Sequence, residues 1–236
     1  MKPTKRVQHT LTIAIIVFFA LSSITVYSVR ATDGISVPPP TTIITIEVAN
    51  GTSSYFLTTL SDVPLGYDVT NTAYLGWCID VNAQMGRSPA THQVVLYSSL
   101  NPPNGTLKDQ RWDLVNYILN HKKQGTADDI QAAIWYFIHF DNATETPPSN
   151  QTVAWAIIND TLANGTGYTP TSGQAVAVIC NPITFLPGNP VQISIIEVTV
   201  PVIPEYPTIA ITILTLTATS IGIIYAKKTI KPHNHT

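Results

Sequence analysis

The sequence predicts an α+β fold, an antiparallel β-sandwich or open barrel carrying an inserted three-helix lobe, with an N-terminal signal and a C-terminal transmembrane helix on either side. Three observations predict it. Segments of period two open and close the central region, segments of helical period fill its middle, and an uncharged apolar run followed by lysines lies near the C-terminus.

The ends come first because they bound what remains. Lys2, Lys5 and Arg6 precede an apolar run from Leu11 to Leu21, and Val29-Arg30-Ala31 offers small residues for a signal peptidase, so residues 1–31 read as a signal peptide. Apolar character continues through Ile24, Val26 and Val29, which leaves an uncleaved anchor as the other reading. The run 209–226 contains no charge and stops at Lys227-Lys228, the pattern of a membrane span with a cytoplasmic tail at 227–236. Between them lie an extracellular domain at 32–203 and a stalk at 204–208.

Only 11% of the 236 residues are charged, and the charges are segregated. Residues 32–205 hold five basic residues (Arg87, Lys108, Arg111, Lys122, Lys123) and all fourteen acids, a net of −9. Such a surface repels phosphate backbones and argues against a nucleic-acid partner. Six Asn-x-Ser/Thr sequons, at Asn50, Asn104, Asn142, Asn150, Asn159 and Asn164, are candidate glycosylation sites on an exported chain. A seventh, at Asn234, falls in the inner tail.

Pro38-Pro39-Pro40 makes a stiff spacer before the alternating stretch 41–48, the first strand. Asn50-Gly51 supplies a turn into a second strand at 54–60, and 74–81 forms a third. On the third, Leu75, Trp77, Ile79 and Val81 share one face, and Tyr74, Gly76, Cys78 and Asp80 the other. The period then changes. Trp112, Val115, Ile118 and Leu119 follow helical spacing within 111–121. A second helix, capped by Thr126 or Asp128, turns Ile130, Ile134, Phe137 and Ile138 inward to about Phe140. Ser149 is placed as the cap of a third helix to about Ala163, burying Val153, Ala156 and Ile157, with Asn164-Gly165 as its stop. Trp112 and Trp155 read as core. Strands resume at 174–180 and 191–200, with a turn at Pro187-Gly188-Asn189 before the last.

Two cysteines, Cys78 and Cys180, both fall in predicted strands. In an exported chain their ordinary fate is a disulfide, here closing a loop of about 100 residues and contributing roughly 4 to 5 kcal/mol on the chain-entropy model. The sequence contains no HExxH or CxxC spacing, no GxSxG elbow and no Gly-rich phosphate loop, and His233 and His235 are too few for a metal site. No metal and no cofactor is assigned.

A second fate for Cys78 comes from a resemblance. The segments GWCID around Cys78 and DDIQAAIWYF around Gln131 resemble the two motifs of Cys-Gln thioester domains of surface adhesins, in which a Cys after an aromatic residue pairs with the Gln of TQxAIW. Gln131, Ala133, Ile134 and Trp135 match the second motif, with Ile130 in place of its Thr; Trp77-Cys78 approximates the first, which commonly has Tyr. The intervening WDLVNYILNH looks like the helix that separates the motifs in that family. The resemblance implies a thioester between Cys78 and Gln131, shielded from water by Trp77, Trp135 and Tyr136, that transfers its acyl group to an amine on a target. Asp80, Asp128 and His121 are candidates for proton handling by proximity in sequence. The expected target is a surface protein or glycan of another cell or of the host envelope. Such a protein acts once and is not a turnover enzyme. The other reading is a structural or glycan-binding envelope domain stapled by Cys78 and Cys180.

Pro204-Glu205-Tyr206-Pro207, followed by the apolar span and lysines, resembles archaeal PEF-type sorting signals, with Tyr206 where that family has Phe. The resemblance implies a sortase-like processing enzyme as a partner and an archaeal cell surface as the location.

Overall fold

The computed structural model describes residues 34–80, 83–138, 151–183, 185–186, 189–202, 217–218 and 221–222. Ala31–Val202 forms one compact unit, and Met1–Arg30 with Ile203–Thr236 makes up a second. The expected signal peptide, the sorting residues Pro204 to Pro207, the C-terminal apolar run save four residues, Val81, the Ser149 cap and the sequons at Asn142 and Asn150 lie outside the described residues. No helix among the described residues is long and apolar enough to cross a membrane.

Six antiparallel strands close a barrel: β1 (Ile44–Asn50), β2 (Phe56–Ser61), β3 (Ala73–Cys78), β4 (Ala90–Ser98), β5 (Ala175–Pro182) and, after two short strands, β8 (Ser194–Thr199). Around the barrel the order is β1-β2-β3-β8-β5-β4, and β4 returns to β1 with Ile44 opposite Val94 and Val48 opposite Ala90. The two short strands, β6 (Phe185–Leu186) and β7 (Asn189–Pro190), make a separate hairpin. The α+β class is therefore observed, but the sheet is closed, neither open nor split into a sandwich. The closing strand is β4, to which the sequence reading assigned no element. Its inward positions alternate Ala90, His92, Val94, Leu96 and Ser98, and two polar residues there hide the apolar alternation. His92 is satisfied inside by the Met85 carbonyl, with Nε2 2.6 Å from that oxygen.

Period two decides what faces where. Ile44, Ile46, Val48, Leu60, Cys78, Val94, Leu96, Val176, Val178, Cys180, Ile196 and Val198 fill the barrel. Trp77, Ile79, Ala177, Ile179 and Ile195 face outward into a second core beneath the helices. The predicted division of β3 thus holds for Trp77 and Ile79 against Cys78.

The helices enter between β4 and β5: α1 (Trp112–Asn120), α2 (Ala127–Ile138) and α3 (Gln151–Asn164). The expected stripes of α1 and α2 are buried: Trp112, Val115, Ile118 and Leu119, then Ile130, Ile134, Phe137 and Ile138. The stripe of α3 differs. Ala154, Ile157 and Ile158 are buried, Ala156 is exposed, and Trp155 is 37% exposed instead of core. Apolar residues are scattered around this helix, so periodicity alone did not define the buried face. Asn120 docks α1 on the barrel: its Nδ2 donates to the Ala175 carbonyl and its Oδ1 accepts from the Ala175 N–H, both at 2.8 Å.

Candidate functional site

β2 pairs with β3 only as far as Phe56 opposite Gly76. Two residues later, at Cys78, the β3 edge toward β2 has no strand partner, while the other edge continues into β8, where the Ile79 N–H donates to the Ile193 carbonyl at 3.2 Å. A buried peptide group without a partner costs about 1 to 3 kcal/mol. A side chain from α2 fills the gap. The Cys78 N–H donates to Gln131 Oε1 at 2.8 Å, and Gln131 Nε2 donates to the Cys78 carbonyl at 2.7 Å. Cys78 is fully buried and Gln131 is 1% exposed. The two residues that the sequence motifs single out are therefore brought together, 53 positions apart in the chain.

The start of α2 sets Gln131 there. Thr126 Oγ1 accepts from the Asp129 N–H at 3.3 Å, while Asp129 Oδ2 accepts from the Thr126 N–H at 3.0 Å and from its hydroxyl at 2.8 Å. This reciprocal cap fixes the first turn, and of the two caps expected Thr126 is the one used. Asp128, Gln131 and Trp135 follow at spacings of three and four, on one face of the helix. Gly76, also facing inward, has a packing reason: a Cβ there would meet Thr58 Oγ1 at 2.5 Å and Phe56 Cβ at 3.1 Å.

Around the sulfur the partners are of two kinds. The Cys78 thiol donates to the Asp80 carbonyl at 3.2 Å. Gln192, which the sequence reading did not single out, donates through Nε2 both to Cys78 Sγ and, at 2.6 Å, to the Asp80 carbonyl. Burial pushes the thiol pKa up to about 11, the Asp80 backbone, the Trp135 indole and Gln192 favour the thiolate, and the Asp80 carboxylate opposes it. The thiol is thus protonated at neutral pH. The Trp135 indole N–H is buried without a well-formed hydrogen bond. Its ring meets Tyr55 edge-on at 5.6 Å, and burial together with the charges of Cys78 and Asp128 pushes the Tyr55 pKa up.

Other expected site residues sit elsewhere. Trp77, expected as a shield, points away from the sulfur because neighbours on a strand face opposite ways; its Nε1 donates to Glu197 at 2.7 Å, and Lys122 pairs with the same carboxylate. Tyr136, one helical position past Trp135, packs on Phe137 and Trp155. Of the three shields, Trp135 alone adjoins Cys78. His121 stacks on Tyr117 at 3.9 Å and places Nδ1 2.9 Å from the Tyr117 carbonyl, at the end of α1, and so is engaged apart from the pair. The sequon residues Asn50, Asn104, Asn159 and Asn164 are exposed.

The alternative pairing of the cysteines is corrected by register. Cys78 and Cys180 are both opposite Ser194, one on each side of β8. Two interstrand spacings put their Cα atoms roughly 9 to 10 Å apart, beyond the limit of about 7 Å for a disulfide. Both are free thiols.

No protein-family model matches the chain, and neither the curated proteins nor the solved structures contain a match to it.

Proposed function

We propose that this chain is a surface attachment protein whose domain forms a thioester between Cys78 and Gln131 and spends it on an amine of its target. The observation that carries the reading is the double hydrogen bond between the Gln131 carboxamide and the Cys78 peptide. It restrains the acyl carbon beside the residue that bears the nucleophile, and it polarises the carbonyl through the Cys78 N–H, the donor an oxyanion needs.

In the forming step the Cys78 thiol loses its proton, sulfur bonds to the Gln131 Cδ, and the amide nitrogen leaves with that proton as ammonia. In the second step a target amine attacks the same carbon. A new amide bond joins the target to Gln131, the carbon–sulfur bond breaks, and the amine proton ends on Cys78. Trp135 and Tyr55 stand where they can screen the acyl group from water. The chain is used once, so it is no turnover enzyme. The signal-like N-terminus, the C-terminal apolar run with its PEYPT segment and the exposed sequons support display outside the cell, with a protein or glycan of another surface as target.

Intact mass of the purified full-length chain tests this. The expected mass is one ammonia below that calculated for the chain as purified, after any leader cleavage and with glycans removed, and methylamine adds its own mass to that species. A chain at full mass that ignores methylamine overturns the proposal.

A further inference from the structure

Resting on that thioester reading, we infer that Gln192 is a catalytic group that holds the reacting sulfur, stabilising it as thiolate both when the thioester forms and when it is cleaved. Gln192 is 8% exposed, and its Nε2 bridges two atoms, Cys78 Sγ and the Asp80 carbonyl. The second bond matters for the first. Held on the Asp80 oxygen, the amide group cannot swing away, and its other N–H stays aimed at the sulfur. The backbone supports this placement: Val191 bridges to Gln84, and the Gln192 N–H donates to the Gln84 carbonyl at 3.2 Å.

Sulfur is the atom that bears charge at both ends of the chemistry. It must lose a proton to attack Gln131, and it leaves as an anion when the target amine expels it. In an apolar barrel wall that anion is strongly disfavoured, which is why the thiol of Cys78 holds its proton so far above neutrality. A fixed donor costs no reorganisation when the charge appears. Gln192 is such a donor, and the buried Trp135 indole N–H is a second that acts in the same direction. Division of labour follows: Gln131 and the Cys78 peptide hold the carbon and oxygen, and Gln192 holds the sulfur. A neutral amide suits the role better than a cation, because a lysine or arginine in this place would itself need desolvation and a lysine amine would attack the thioester.

The test uses full-length chains carrying Gln192→Leu and Gln192→Glu beside the wild type. Two quantities are read: the fraction of folded protein lighter by one ammonia, and the rate at which hydroxylamine consumes that species from about pH 5 to about pH 8, where a buried carboxyl titrates. Gln192→Leu is expected to lower the cleavage rate by on the order of tenfold to a hundredfold at every pH. Gln192→Glu separates a chemical from a packing role. Protonated, its single O–H donates to sulfur without the second bond to the Asp80 carbonyl, so the rate lies between those of Gln192→Leu and the wild type; ionised, it repels the thiolate and the rate falls steeply as pH rises, in excess of any wild-type trend. Wild-type rates in both variants, or equal losses in both at all pH values, overturn the assignment of Gln192 and leave the thioester standing. A wild-type chain at full mass overturns both.

Discussion

Cys78 and Cys180 stand on opposite sides of β8, each the register partner of Ser194. The strand between them makes the two-cysteine count a poor guide to their chemistry. A phosphine reductant, which reduces disulfides without the thiol that would exchange with a thioester, is therefore expected to leave the melting temperature unchanged, and Cys180→Ala is expected to keep the mass deficit of one ammonia at a cost of about 1 to 2 kcal/mol for the small cavity. A fall in melting temperature with the phosphine, followed by calorimetry, would instead mean that the barrel rearranges to bridge the two cysteines.

Three carboxamides among the described residues make the same pair of backbone bonds, Gln131 to Cys78, Asn120 to Ala175 and Asn71 to Val63. Only the first adjoins a nucleophile. Gln131→Ala removes the acceptor of the buried Cys78 N–H together with the covalent tie, Nε2 having already left as ammonia in the thioester, and Asn120→Ala strips the half-buried Ala175 N–H and C=O; each should destabilise by roughly 1 to 3 kcal/mol. Denaturant titration measures that common cost. Mass spectrometry should then divide them, with Asn120→Ala still lighter by one ammonia and still reactive to methylamine and Gln131→Ala neither.

The reciprocal cap of Thr126 and Asp129 sets the first turn of α2, five residues ahead of Gln131. Thr126→Ala should cost about 1 kcal/mol. Because a frayed first turn loosens the carboxamide, newly synthesised chain, whose Gln131 still holds its nitrogen, should also acquire the mass deficit more slowly, as a time course of intact masses after translation would record.

Alkaline stability carries a signature of the free thiol. Cys78 in the folded chain keeps its proton to about 11, against an ordinary 9.0. Between those values the folded form binds more protons than the unfolded, so stability falls as pH rises through that window. A thioester has no proton to lose. Gln131→Ala, with Cys78 always a thiol, should therefore lose on the order of 2 kcal/mol more than the wild type between about pH 9 and about pH 11. Cys180, held up to about 12 by burial, is present in both chains and cancels in the comparison. Equal alkaline losses in urea melts would place a free thiol in the wild type as well.

What the sequence made legible follows from period. Alternation on β3 separates Trp77 from Cys78, and helical spacing finds the buried stripes of α1 and α2, because each of those faces is nearly all apolar. Legibility fails where a buried position is polar. His92 and Ser98 conceal β4, and with it the closure of the barrel. Gln192 is one glutamine beside Pro190 and Val191 with no local signature, and its role depends on Asp80 and Cys78, more than 110 positions away. Trp77 illustrates the opposite error, since adjacency to Cys78 in sequence places a side chain on the far face of a strand. The meeting of Cys78 with Gln131 was suggested by motif, yet its physical occasion, a β3 edge that β2 leaves unpaired, belongs to the tertiary structure alone.

That β4 returns to β1 has a colloidal consequence. Edge strands are templates on which chains add to one another, and crowding sharpens the hazard. In this barrel each of the six strands has a neighbour on both sides. Copies of the barrel therefore offer one another side chains in place of a barrel edge, and among the described residues the short β6–β7 hairpin is left as a sheet with open edges.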